Sequence, residues 1–107
     1  MKVHLITPNL SIDDHTDRFI RDRIHGMLDH LEERIRSAVV YLADHNGPKG
    51  GVDTECRIHV RLHPSGSVVL RDRAPTVQEA VSRAANNLKP TLVRTLERRC
   101  PRRGTKG

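Results

Sequence analysis

The chain has 107 residues, 36% of them apolar, and a formal net charge of +6, which suits one domain with a modest aliphatic core. Its aromatic residues are Phe19 and Tyr41 alone, a scarcity that argues against modules that stack bases on exposed rings. No apolar run approaches the roughly 18 residues of a membrane span, and Met1–Thr7 lacks the features of a secretory leader, so a cytoplasmic protein is expected.

Residues 2–7 alternate, with Val3, Leu5 and Thr7 against Lys2, His4 and Ile6, and predict a strand that Pro8-Asn9 ends. Ser11 or Asp13 offers an N-cap, and Asp14 and Asp17 suit the positive end of a helix. Ile20, Ile24, Leu28, Leu31 and Ile35, with Met27 beside them, recur at three- and four-residue spacing and predict a helix over about 13–33. From Ile35 to Ala43 the period becomes two. Ile35, Val39 and Tyr41 are expected on one face and Ala38, Val40 and Leu42 on the other, as in a central strand.

The stretch Asp44–Asp53, rich in Gly and around one Pro, reads as a flexible loop. Thr54–His63 alternates again, with Cys56, Ile58, Val60 and Leu62 toward a core and Arg57, His59, Arg61 and His63 outward. Pro64-Ser65-Gly66 is a tight turn, and Ser67–Arg71 returns as the next strand of a hairpin. Thr76 with Glu79 forms a capping box. Val77, Ala80, Val81, Ala84, Leu88, Leu92 and Leu96 then carry an apolar stripe through a second helix over about 76–99, which Pro90 is expected to kink or break. Residues 1–100 read as one domain and 101–107 as a short basic disordered tail. Two amphipathic helices and four strands suggest an α+β fold: a mixed sheet with both helices on one face, the first two strands parallel.

Residues 1–75 carry 11 Lys+Arg and 11 Asp+Glu, whereas 76–107 carry 8 and 2. The excess positive charge therefore belongs to the last third, as expected of a helix and tail facing a polyanion. Arg83, Lys89, Arg94, Arg98, Arg99, Arg102 and Arg103 are the phosphate-binding candidates, because guanidinium forks match phosphate oxygens and clustered charge releases counterions; a solvated helix face is the alternative. Arg57 and Arg61, with His59 and His63, form a second basic row on an exposed strand face, for which edge protection or solvation accounts equally well; Lys49, in the glycine-rich loop, can also approach a phosphate.

Other chemistries find little support. His59 and His63 would stand about 13 Å apart on a strand, too far to share an ion, and the other histidines show no ligand spacing with Cys56 or Cys100. The two cysteines make no disulfide framework. No nucleophile elbow or Cys–His arrangement is visible. No metal, no cofactor and no catalytic activity are expected.

The order of elements, with the Asn46–Asp53 loop running into Thr54-Glu55-Cys56-Arg57-Ile58 and the helical segment Ala80-Val81 through Arg83-Ala84-Ala85 to Leu88, resembles the ribosome hibernation promoting factor family. That family is also called ribosome-associated inhibitor A or sigma-factor modulation protein. The resemblance spans essentially residues 2–99 and is to a short, single-domain member. It implies a β-α-β-β-β-α fold akin to double-stranded RNA-binding domains, and docking on small-subunit ribosomal RNA in the channel for messenger and transfer RNA, which inhibits translation under stress. It adds Arg23 of the first helix to Arg83 as RNA-binding positions. The chain departs from the family where Gly26, Asp29, Asn87 and Pro90 replace frequent basic residues and Gln78 a frequent Tyr. The expected partner is the small ribosomal subunit, with no membrane or small-molecule substrate, and the protein is expected to be a monomer off the ribosome. A general structured-RNA-binding module, or a protein–protein regulator docking through the acidic first helix, are the other readings.

Overall fold

The computed structural model describes residues 2–45 and 53–99, including all of their side chains except those at positions 30, 98 and 99. The elements in chain order are β1 (Lys2–Ile6), α1 (Asp14–Leu28) with a 3-10 helix (Asp29–Arg34) after it, β2 (Ile35–Asp44), β3 (Thr54–Leu62), β4 (Ser67–Ala74) and α2 (Val77–Arg99). The strands form one sheet in the order β1-β2-β3-β4. β1 runs parallel to β2, and the other pairs are antiparallel. This is the α+β architecture that the alternating and helical periods predict, with β2 and β3 central.

Register converts the alternation of each strand into two distinct faces. Val3 aligns with Ala38, Val60 and Val68, and Leu5 with Val40, Ile58 and Leu70. These rows meet Ile20, Ile24 and Leu28 of α1 and Val81, Ala85, Leu88 and Leu92 of α2, in one aliphatic core. The small Ala80, Ala84 and Ala85, all essentially buried, let α2 lie close to the sheet. Arg21 ties α1 to the edge strand by donating from Nη1 to the Val3 carbonyl at 2.7 Å while its Nε meets Asp17 Oδ1 at 2.6 Å.

The helix starts follow their caps. Asp13, not Ser11, caps α1: its Oδ1 accepts from the Thr16 N–H at 2.7 Å, and this bond holds the Asp13 carboxyl below its ordinary value. The Thr76 hydroxyl oxygen accepts from the Glu79 N–H at 3.1 Å, as the capping box requires.

Four expectations need correction. The first α-helix ends at Leu28, not near 33, because the chain tightens into 3-10 winding and leaves helical geometry at Leu31 (φ −111°, ψ 15°) before β2 begins. Ile35 lies in the core with Ala38 rather than opposite it, because the register shifts between Ile35 and Ser37; such a bulge changes the parity of every residue before it. β4 extends to Ala74, past Arg71. Finally, α2 does not break at Pro90 but runs across it as one element. Pro90 points to solvent, and the buried Leu88 and Leu92 on either side anchor the helix to the sheet, so packing outweighs the single backbone donor that proline withholds. The 46–52 part of the loop, with Lys49, and the 101–107 tail lie outside the described residues.

Candidate nucleic-acid interface

The helix-side candidates divide into two groups. Arg83 and Arg94 are both exposed on α2. Eleven residues separate them, about three turns or 16 Å along one line of the helix. Arg83 also donates from Nη1 to the Arg73 carbonyl at 3.1 Å, which sets its base against β4. Lys89 stands between them and α1, beside Pro90, Val93 and Arg94 on one side. With Phe19, Asp22, Arg23, Gly26 and Met27 it lines an inter-helix groove of about 560 Å³. Arg23 lies half-buried there and donates from Nη2 to Asn86 Oδ1 at 2.9 Å. The backbone of Arg98 and Arg99 belongs to the last turn of α2; their side chains, like Arg102 and Arg103, lie outside the described residues. The described exposed side of α2 therefore offers Arg83, Lys89 and Arg94 against Glu79 and Glu97, a smaller positive excess than the sequence sum implies.

The sheet face that no helix covers is more basic. Its rows run Lys2–Ser37–Arg61–Ser67, then His4–Val39–His59–Val69, then Ile6–Tyr41–Arg57–Arg71, with Ala43–Glu55–Arg73 at the far end. Lys2, Arg57, Arg61, Arg71 and Arg73 thus share one surface. The candidates Arg57 and Arg61 stand here, on the opposite side of the sheet from α2. Reasoning from the sequence missed Lys2, Tyr41, Arg71 and Arg73. The usable signal was the Val69-x-Arg71-x-Arg73 alternation, which becomes informative only when β4 is carried on to Ala74.

One carboxylate organises this face. Glu55 is buried, its side chain 5% exposed. His45 donates from Nε2 to its Oε1, while its Oε2 meets Arg71 Nε at 3.0 Å and Arg57 Nη2 at 3.6 Å. Burial works to raise the Glu55 carboxyl, but the His45 hydrogen bond and the charges of Arg57, His45 and Arg71 together hold it below its ordinary value. Arg57 in turn sits over the Tyr41 ring, 4.9 Å from its centre, a cation–π contact. Arg73 meets Asp53 at 3.1 Å, and Arg61 has no carboxylate partner among the described residues.

The acidic counterpart is on the other side of the molecule. α1 and its 3-10 extension carry Asp14, Asp17, Asp22, Asp29, Glu32 and Glu33 among four arginines. The neutral sum over residues 1–75 therefore conceals two surfaces of opposite sign.

Cys56 faces the core, and burial, aided by the Asp72 and Glu55 charges, pushes its thiol up to about 12; it is not a thiolate nucleophile at neutral pH. Among the described residues, no group of three or more His, Cys, Asp or Glu side chains stands close enough to hold a metal ion. No described helix is long and apolar enough to cross a membrane.

A family model described as Sigma 54 modulation protein / S30EA ribosomal protein matches residues 3–100. No curated protein matches the chain. Among solved structures, a ribosomal subunit interface protein from Coxiella burnetii superposes with a TM-score of 0.74 at 13% identity, covering 89% of this chain and 97% of its own. The N-terminal domain of Protein Y from Thermus thermophilus gives 0.71 at 23% identity, covering 89% and 99%. At such identities these two similarities establish the fold.

Proposed function

The chain belongs to the sigma 54 modulation protein / S30EA ribosomal protein family, and from that premise we propose that it is a ribosome-associated hibernation factor. It enters the small-subunit channel for messenger and transfer RNA, docks on ribosomal RNA, and inhibits translation by occupying that space. The observation that carries this reading is the family match over residues 3–100, which reaches into every element of the fold. The name of the Coxiella burnetii protein, a ribosomal subunit interface protein, supports it.

Arg83 and Arg94 supply phosphate contacts along α2, continued by Arg98, Arg99, Arg102 and Arg103. Arg23 and Lys89 act from the inter-helix groove, with Lys49, Arg57 and Arg61 as further contacts. Guanidinium groups suit this role because they offer paired donors to phosphate oxygens. The factor works in the cytoplasm, as a monomer off the ribosome, by binding alone; no cofactor or catalytic step is involved.

Sedimentation with small subunits across a salt series tests the proposal. Binding should weaken steeply with salt, and the joint Arg94→Ala, Arg98→Ala, Arg99→Ala change should flatten the log–log slope by about 2–3. A triple variant that sediments like the parent refutes the assigned surface, and a parent protein that never sediments with ribosomes refutes the function. Equal affinity for generic duplex RNA would instead mark a structured-RNA module. The exposed acids of α1 and its extension favour one further reading, a protein–protein regulator, which predicts capture of a basic protein partner after nuclease treatment.

A further inference from the structure

We infer that the open face of the sheet is a second RNA surface, one that takes single-stranded RNA, with a base stacked at the Arg57–Tyr41 pair and phosphates held by Arg61, Arg71 and Arg73. The inference deepens the ribosomal reading, which already counts Arg57 and Arg61 as contacts, by adding Tyr41, Arg71 and Arg73 and by naming unpaired RNA as what this face takes.

Arg57 and Arg71 are directly opposite each other on β3 and β4, an arrangement of like charges that weakens strand pairing. Glu55 relieves it, yet one carboxylate serves Arg57, Arg71 and His45 together. Positive charge is left over on Arg57 and Arg71, which remain 40% and 63% exposed; Arg73, 55% exposed, is paired with Asp53. An anion completes this cluster, and forked guanidinium groups favour phosphate.

The apolar groups between the cations distinguish the kind of anion. Tyr41 and Arg57 occupy the middle of one row, and Val39 and His59 the middle of the next. Ile6 and Val69 are 47% and 52% exposed on the same face. Lys2 and Arg61 bound this strip on one side and Arg73 on the other, with Arg71 at its β4 end. Unpaired bases use such a strip, because they stack on rings and guanidinium planes while their phosphates reach flanking cations. A duplex hides its bases and would leave the strip unused. An acidic protein segment would satisfy the arginines but not the Arg57–Tyr41 platform.

The test is fluorescence anisotropy at low salt with a labelled 12-nucleotide oligouridylate and a 12-base-pair RNA duplex. The single strand should bind more tightly than the duplex. Arg61→Ala with Arg71→Ala should weaken it about tenfold or more, since each lost phosphate contact also lowers the salt slope. Tyr41→Leu should weaken it about fivefold or more through lost stacking. Amide shift changes on adding the oligonucleotide should centre on Tyr41, Arg57, His59 and Arg61. Tighter duplex binding, no loss in the variants, or shift changes confined to α2 would overturn the inference. So would equal competition by a polyglutamate peptide, which would reassign the face to acidic proteins. Should Tyr41→Leu melt at too low a temperature to be used, Arg61→Ala alone decides, because Arg61 is exposed and has no described carboxylate partner. Ribosome sedimentation is measured in parallel: oligonucleotide binding without sedimentation defeats only the ribosomal reading, and sedimentation without oligonucleotide binding defeats only this one.

Discussion

The two faces of the sheet are built from the same strands, residue by residue, yet they have almost nothing in common. One carries Val40, Leu42, Cys56, Ile58, Val60 and Leu62, all buried beneath the helices. The other carries Tyr41, Arg57, His59 and Arg61 from the positions between them, with Arg71 and Arg73 beside these. The contrast teaches that burial and surface charge are separable here at the resolution of single neighbours. Ile58 and Arg57 are adjacent in the chain, but a change at one should leave the work of the other intact. Glu55 is the charged exception, because with its neighbour Ala43 it is buried on the face that otherwise meets solvent.

The sharpest way to expose the division is Ile58→Ala. Ile58 is 0% exposed, so its truncation should destabilise the fold by about 2–5 kcal/mol in urea unfolding. Binding of RNA by the fraction that remains folded should be unchanged; a matching loss of intrinsic affinity would break the comparison. Glu55→Gln comes next and tests the exception. It should destabilise by about 1–2 kcal/mol, the exposure of the arginine partners reducing the effect. The effect depends on pH in a defined direction. Glu55 has its folded-state pKa below the ordinary 4.5, so its stabilisation is present above about 4.5 and is lost as pH falls through the folded value. Melting curves of parent and variant should therefore converge in acid, and a constant gap down to pH 2 would contradict the ion-pair account.

Gly66→Ala acts on both faces together. Gly66 closes the β3–β4 turn at φ 97°, a conformation that disfavours side chains, so the change should cost about 1 kcal/mol, read as a lower unfolding midpoint. The smallest effect is expected at Gly26→Ala, which touches neither face. A Cβ there meets nothing within 4 Å, and alanine is the better helix former, so stability should rise by about 0.5–1 kcal/mol. A loss would mean that α1 needs a glycine for a reason its packing does not show.

Much of the fold was legible because its signals are local. The Thr76–Glu79 cap and the Val77–Leu96 stripe mark α2 within a few residues, and the alternation in 54–62 names its buried side without further help. The errors arose where distant parts decide. The bulge after Ile35 depends on how β2 is held against Leu62 and Arg61, and nothing in Ile35-Arg36-Ser37 announces it. The candidate site was harder still. A running sum along the chain assigns all excess charge to residues 76–107, because it adds the acids of α1 to the arginines of β3 and β4. Register separates them: Arg57 comes to face Arg71, and Arg61 comes into line with Lys2 through Ser37. Tyr41 likewise counts as one of two rings in the composition, but its value depends on the guanidinium that the neighbouring strand sets over it.

The closing of β2 on β3 has a practical consequence. Pairing continues to Asp44↔Thr54; beyond it the His45 N–H bonds the Asp53 carbonyl at 2.8 Å, and Asn9 clasps Asp44 through both its amide groups at 2.9 Å. The strands are thus riveted at their own ends, by the Asp44–Thr54 pair and the His45–Asp53 bond. Doubling the length of the intervening stretch should cost only about 0.6 kcal/mol in loop closure. An insertion there that keeps Lys49 can therefore carry an epitope or a fluorescent reporter, through which the movements of the factor can be followed.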